Sequence, residues 1–207
     1  MMVHSAKWTP EMIRIGNIKD IIPLCGYGVP DEETALFSNE KYATFIFENE
    51  LIPYWEKDGS NTYNQLHFYD LPWPTEVLEQ MGEENVKIRI TLSYYVKPSP
   101  GYAGRSNKYR YPSATLHFDL KSASESMEEF LCRRNKSEGE KRTDNDTNRW
   151  TIKQQRREQG TVQSDWIECT AAELASCGQI IVYPGQGWWK ERKLANVCLL
   201  YTSDAAD

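Results

Sequence analysis

Two kinds of apolar spacing divide the chain. Between residues 86 and 96, Val86, Ile88, Ile90, Leu92, Tyr94 and Val96 alternate with Lys87, Arg89, Thr91, Ser93 and Tyr95. Successive side chains of a strand point to opposite faces, so this pattern predicts a strand with one dry and one wet face. Ala114, Leu116, Phe118 and Leu120 alternate with Thr115, His117 and Asp119 in the same way. Residues 42–47, 65–69, 166–169 and 179–183 are shorter strand candidates, rich in aromatic and β-branched side chains. Half-buried strands of this kind suit antiparallel sheets, because parallel sheets covered on both faces give continuous apolar runs. The expected fold is therefore mainly β, a jelly-roll-like antiparallel β-sandwich.

Helices are expected where capping chemistry stands next to apolar residues. Thr9-Pro10-Glu11 combines a capping oxygen, a proline at the first helical position and an acid in the first turn. Met1, Met2, Val3 and Ala6 form an apolar run without a start signal of its own. Gly26-Tyr27-Gly28-Val29-Pro30-Asp31 is a glycine-punctuated turn, and the acids that follow it suit another helix start. Residues 75–81 read as a short helix closed by Gly82, and residues 124–134 as a second one. Thr170-Ala171-Ala172-Glu173 is a capping box. Leu71-Pro72-Trp73-Pro74 lacks the donors for a full ladder and reads as an extended turn. Residues 135–148 contain no large apolar side chain and read as a polar loop or insertion.

Composition narrows the class. With 40% hydrophobic and 26% charged residues over 207 positions, the chain reads as a globular protein rather than a disordered one. No run approaches the about 20 consecutive apolar residues of a spanning helix, so no membrane partner is expected. A net charge of -6 argues against non-specific nucleic-acid binding, which needs a basic stripe. The one basic cluster, Arg133, Arg134, Lys136, Lys141 and Arg142, is interleaved with acids and reads as a solvated segment. Five cysteines (Cys25, Cys132, Cys169, Cys177, Cys198) show no metal-ligand or disulfide pattern. Buried free thiols are expected, and with no leader pattern visible they favour a reducing compartment such as the cytoplasm.

Few residues offer chemistry. No phosphate-cradling glycine loop is present, Gly26-Tyr27-Gly28 lacks a third glycine, and no serine-nucleophile motif occurs. His4, His67 and His117 stand apart in sequence and read as structural, so no catalytic residue, metal site or cofactor is assigned. The candidate binding surface is the loop of Trp188, Trp189 and Lys190, where adjacent aromatics could supply rigid contact area for a peptide or a sugar. The plainer alternative is that both rings cap the core.

A family resemblance reorganises these readings. Val3-His4-Ser5-Ala6, then Gly26-Tyr27-Gly28-Val29-Pro30-Asp31 and Ala35, resembles the last part of a subtilisin-like serine peptidase domain. His67-Phe68-Tyr69-Asp70-Leu71-Pro72-Trp73-Pro74, Ile90-Thr91-Leu92-Ser93-Tyr94-Tyr95 and the stretch from Tyr183-Pro184 through Gly187-Trp188-Trp189-Lys190-Glu191 resemble the C-terminal β-sandwich of large bacterial members. The resemblance implies that residues 1–38 are the last helices of an α/β catalytic domain and that residues 39–197 are an accessory sandwich with an insertion at 135–148. It implies a serine endopeptidase whose Asp, His and Ser triad precedes Met1, so that none of the triad maps onto this chain and His4 is not its base. Implied partners are the upstream catalytic domain, a protein or peptide substrate and an ATPase, beside which some related peptidases act in defence against phage. Residues 1–38, cut from their parent sheet, are expected to pack poorly or to be mobile. Residues 198–207 depart from the family, resemble translated adapter sequence and are expected to be a non-native tail. The competing reading is a stand-alone β-sandwich that binds a peptide or carbohydrate.

Overall fold

The computed structural model describes residues 1–36, 43–96, 114–135, 149–185, 187 and 198–206. The strands are β1 (Ala43–Leu51), β2 (Tyr54–Lys57), β3 (Ser60–Tyr63), β4 (His67–Asp70), β5 (Asn85–Tyr95), β6 (Leu116–Leu120), β7 (Val162–Thr170), β8 (Gln179–Pro184) and β9 (Cys198–Ala206). They form a four-stranded sheet in the order β1-β9-β5-β7, a three-stranded sheet in the order β4-β8-β6 and a β2-β3 hairpin. Every pairing is antiparallel. The helices are α1 (Met2–Ser5), α2 (Pro10–Ile13), α3 (Ile18–Cys25), α4 (Glu32–Leu36), α5 (Thr75–Met81), α6 (Met127–Asn135), α7 (Gln154–Arg157) and α8 (Ala171–Ser176).

Antiparallel pairing is as the alternation predicted, and a mainly β composition is not. Among the described residues helix and strand occur in comparable amounts. The excess helix comes from short pieces, each begun locally. The Thr9 side chain accepts from the Met12 amide at the start of α2. Asp31 Oδ1 accepts from the amides of Glu33 and Thr34 at the start of α4. Thr170 and Glu173 form the expected reciprocal capping box of α8. Gly82, at φ 59, ends α5 where the sequence places its stop.

One apolar core is shared by the two larger sheets. Val86, Ile88, Ile90, Leu92 and Tyr94 of β5 meet Leu116, Phe118 and Leu120 of β6, and Ile180 and Val182 of β8. Leu78 of α5 and Leu174 of α8 close one end. The β2-β3 hairpin was not anticipated. Its turn is Asp58-Gly59, with φ of 52 and 78, a pair that favours a tight hairpin connection. Residues 198–206, within the stretch expected to be a non-native tail, supply β9, the strand between β1 and β5. Of the predicted polar insertion only Asn135, the last residue of α6, lies among the described residues.

The expectation of a wet face on β5 needs correction. Arg89 and Thr91, on the polar side of the alternation, are 8% and 6% exposed. They are covered by the chain's own first segment, a long-range contact that strand periodicity cannot report.

Candidate functional site

Among the described residues, the largest concentration of buried polar side chains lies where residues 1–36 dock on β5 and β7. The segment is first tied to itself. Lys7 and Val29 exchange backbone hydrogen bonds of 2.9 Å in each direction. Gly28, at φ +99, makes this approach feasible, since a Cβ there would lie 2.3 Å from the Lys7 carbonyl oxygen. The Trp8 indole N–H donates to the Gly26 carbonyl over 3.0 Å, and the ring meets Trp166 of β7 edge-on with centroids 5.0 Å apart.

Polar contacts then fasten this unit to the sheet. Arg89 Nη1 donates to the carbonyls of His4 and Ala6 at 2.7 and 2.5 Å, satisfying acceptors left over at the end of α1. Its guanidinium carbon lies 4.6 Å from the centroid of the Trp166 ring, which Lys87 also approaches. His4 Nδ1 is 3.0 Å from Thr91 Oγ1, which is 2.9 Å from Ser164 Oγ. Tyr27 completes the seam: its hydroxyl donates to the Val162 carbonyl and accepts from the Ser164 amide at 3.1 and 3.2 Å. Burial, then the Arg89 charge and the chain's amino terminus, lowers the His4 pKa to about 3. Burial likewise raises the pKa of Tyr27.

This geometry holds segments together. It does not make a nucleophile. Ser164 is fully buried and its hydroxyl meets a threonine, while a histidine that gives up its proton above about pH 3 is too weak a base to activate it. His4 Nε2 is buried with no hydrogen-bond partner among the described residues.

A second buried cluster joins the two sheets. The Arg157 guanidinium carbon lies 4.3 Å from the Phe118 ring centroid and 4.7 Å from that of Trp150. Arg157 Nη2 donates to the Phe118 carbonyl, and Nη1 is 3.6 Å from Asp165 Oδ2. Asp165 accepts from the amides of Ile152, Trp166 and Lys153 at 2.8, 2.9 and 3.1 Å. Burial raises the Asp165 pKa, and Arg157 and these amides oppose that shift. Trp150 Nε1 donates to Asp119 Oδ1, placing residues 149–157 between β6 and β7.

The residues singled out from sequence fare differently. Trp188, Trp189 and Lys190 lie outside the described residues. His67 Nδ1 is 3.4 Å from the Tyr69 hydroxyl, with its pKa lowered by burial. His117 Nδ1 is 3.5 Å from Glu158 Oε2. Of the free thiols, Cys177 is buried, Cys25 and Cys169 are half-buried and Cys132 is exposed, so the expected burial holds only in part. Burial raises the Cys169 pKa to about 11. Among the described residues no group of three or more His, Cys, Asp or Glu is placed to hold a metal ion. No helix among them is long and apolar enough to cross a membrane. Sequence reasoning missed Arg89, Thr91, Ser164 and Tyr27. The available signal was the short hydroxyl side chains at 91 and 164, where a solvated strand face more often carries long charged ones.

No protein family matches this chain, and no curated protein matches it.

Proposed function

We propose that the chain is the C-terminal part of a subtilisin-like serine endopeptidase, residues 1–38 ending the catalytic domain and residues 39–197 forming a β-sandwich that stabilises it or positions substrate. Peptide hydrolysis then belongs to the whole protein, with a triad upstream of Met1, and His4 takes no part in it. The observation that carries this reading is the contrast in burial within the first segment. Part of it is docked, with His4, Ser5, Ala6 and Ile21 at 3, 1, 2 and 3% exposed. Other apolar side chains of the segment are bare: Met2, Leu24, Leu36 and Ile13 are 74, 72, 65 and 56% exposed. Several large apolar side chains exposed within one short segment suit a surface that another body of protein covers, here the rest of a catalytic domain. The core common to β5, β6 and β8 supports the sandwich.

The test is the gene. A Gly-Thr-Ser-x-Ala coding run a few tens of codons upstream of Met1, in frame, is the expected result, and a complete gene beginning at Met1 would overturn the proposal. The chain by itself is expected to stay unlabelled by a serine-directed fluorophosphonate; stoichiometric labelling would place a working nucleophile within it.

A further inference from the structure

The four outer sheet edges are treated unequally. In an antiparallel ladder a residue's N–H and C=O both point to the same neighbouring strand, so register assigns every outward group. On β6 the outward carbonyls of Leu116, Phe118 and Leu120 are taken by the side chains of Gln163, Arg157 and Arg149. On β7, Tyr27 engages Val162 and Ser164, and the Thr151 amide donates to the Trp166 carbonyl. Both of these edges are closed to a further strand.

The edge at β1 differs. Tyr94 donates to the Thr161 carbonyl, so even-numbered residues of β5 face β7 and odd-numbered ones face β9. Carried through β9, the register turns odd-numbered residues of β1 towards β9 and leaves the backbone of Thr44, Ile46 and Glu48 pointing outward. Nothing among the described residues pairs with them. β1 lies beside β4, the edge strand of the three-stranded sheet, since Phe47 of β1 packs on Tyr69 of β4 with ring centroids 5.0 Å apart, and Phe45 meets Trp73. Along β1, Ile46 is 58% exposed, and the only charged side chains of the strand are the exposed acids Glu48 and Glu50, which guard the edge by charge and leave it open to a strand of opposite sign.

We infer that β1 is a docking edge for an extended cationic peptide, which adds to the four-stranded sheet as a fifth strand. Main-chain bonds to Thr44, Ile46 and Glu48 would provide the attachment. Basic side chains on the outer face fit Glu48 and Glu50, and apolar ones on the inner face fit beside Phe45 and Phe47. The inference does not depend on the peptidase reading.

The probe is a dye-labelled nine-residue peptide of alternating Lys and Val, titrated into the full chain by fluorescence anisotropy. Saturable binding is expected, with protection of the Ile46 and Glu48 amides from hydrogen exchange. Replacing the Lys residues by Glu, or the central Val by Pro, is expected to weaken binding about tenfold. The Glu48→Lys variant weakens it about fivefold. Ile46→Pro removes only an outward N–H and abolishes binding; should that variant misfold, Glu48→Lys and the exchange data still decide. Equal binding by the Pro-containing peptide, no protection at Ile46, or no binding at all overturns the inference. So does a dimer by sedimentation that Ile46→Pro dissociates, which would assign the edge to a second copy of the chain.

Discussion

Acidification acts on the docked first segment most strongly through His4, the histidine buried in its seam with β5. His4 is neutral and 3% exposed in the folded chain, with a pKa of about 3 against 6.5 for a solvated imidazole. The depressed value means that the unfolded chain takes up a proton first as pH falls below 6.5, and the folded chain only near 3. The stabilisation is therefore complete above pH 6.5 and lost progressively towards pH 3. At pH 5 the unfolded state holds the proton with an advantage of about 1.5 pH units, equivalent to about 2 kcal/mol.

Urea denaturation followed by tryptophan fluorescence at pH 7 and pH 5 reads this directly, with His4→Gln as the companion. Glutamine retains an oxygen and an amide near Thr91 and does not titrate. The natural chain should lose about 2 kcal/mol more than the variant between the two pH values. Other titrating groups cancel in the comparison. Asp165, whose pKa is raised, changes in the opposite sense and is the same in both proteins, as are Asp31 and Glu11, whose pKa values are lowered. Equal pH dependence in the two proteins would refute the reasoning, because it would mean that His4 is hydrated in the folded state.

Other contacts make comparable claims. Arg157→Ala leaves Asp165 buried without its cation and should cost about 3–5 kcal/mol in the same denaturation assay. Gly28→Ala drives a Cβ into the Lys7 carbonyl at a positive φ, and a loss of more than about 2 kcal/mol is expected, with faster hydrogen exchange at Lys7 and Val29. Thr170→Ala removes the capping box of α8 and should cost about 1 kcal/mol. A chain ending at Val197 lacks β9, so β1 and β5 each lose a ladder; a lower denaturation midpoint is expected, and an unchanged one would show that β9 does not hold that place.

The parts of this fold that could be read from the chain are those whose cause is local. The alternation from Val86 to Tyr94 identifies β5, and the Gly82 stop and the Thr170 capping box mark their helices, because each signal needs only neighbours within a few positions. The Asp58-Gly59 turn was as local and was overlooked. What could not be read was which surface each face meets. Arg89 and Thr91 are polar by type, and strand periodicity assigns polar residues to water unless another part of the chain arrives to cover them. The covering segment lies more than 80 positions earlier, with His4 and Thr91 separated by 87.

That separation also explains why the docking role of His4 has no signal among its neighbours in sequence. A side chain isolated in sequence can be central in space, and the mark of such a site is composition on the facing strand. Thr91 and Ser164 are short, so a backbone can come close enough for Arg89 to reach past them to the carbonyls of His4 and Ala6. Long charged residues at those two positions would have kept the first segment off the sheet. The same reasoning separates the edges. β6 and β7 are closed by side chains recruited from distant positions, Gln163 and Arg157 on β6 and Tyr27 on β7, and the local pattern of neither strand signals that closure.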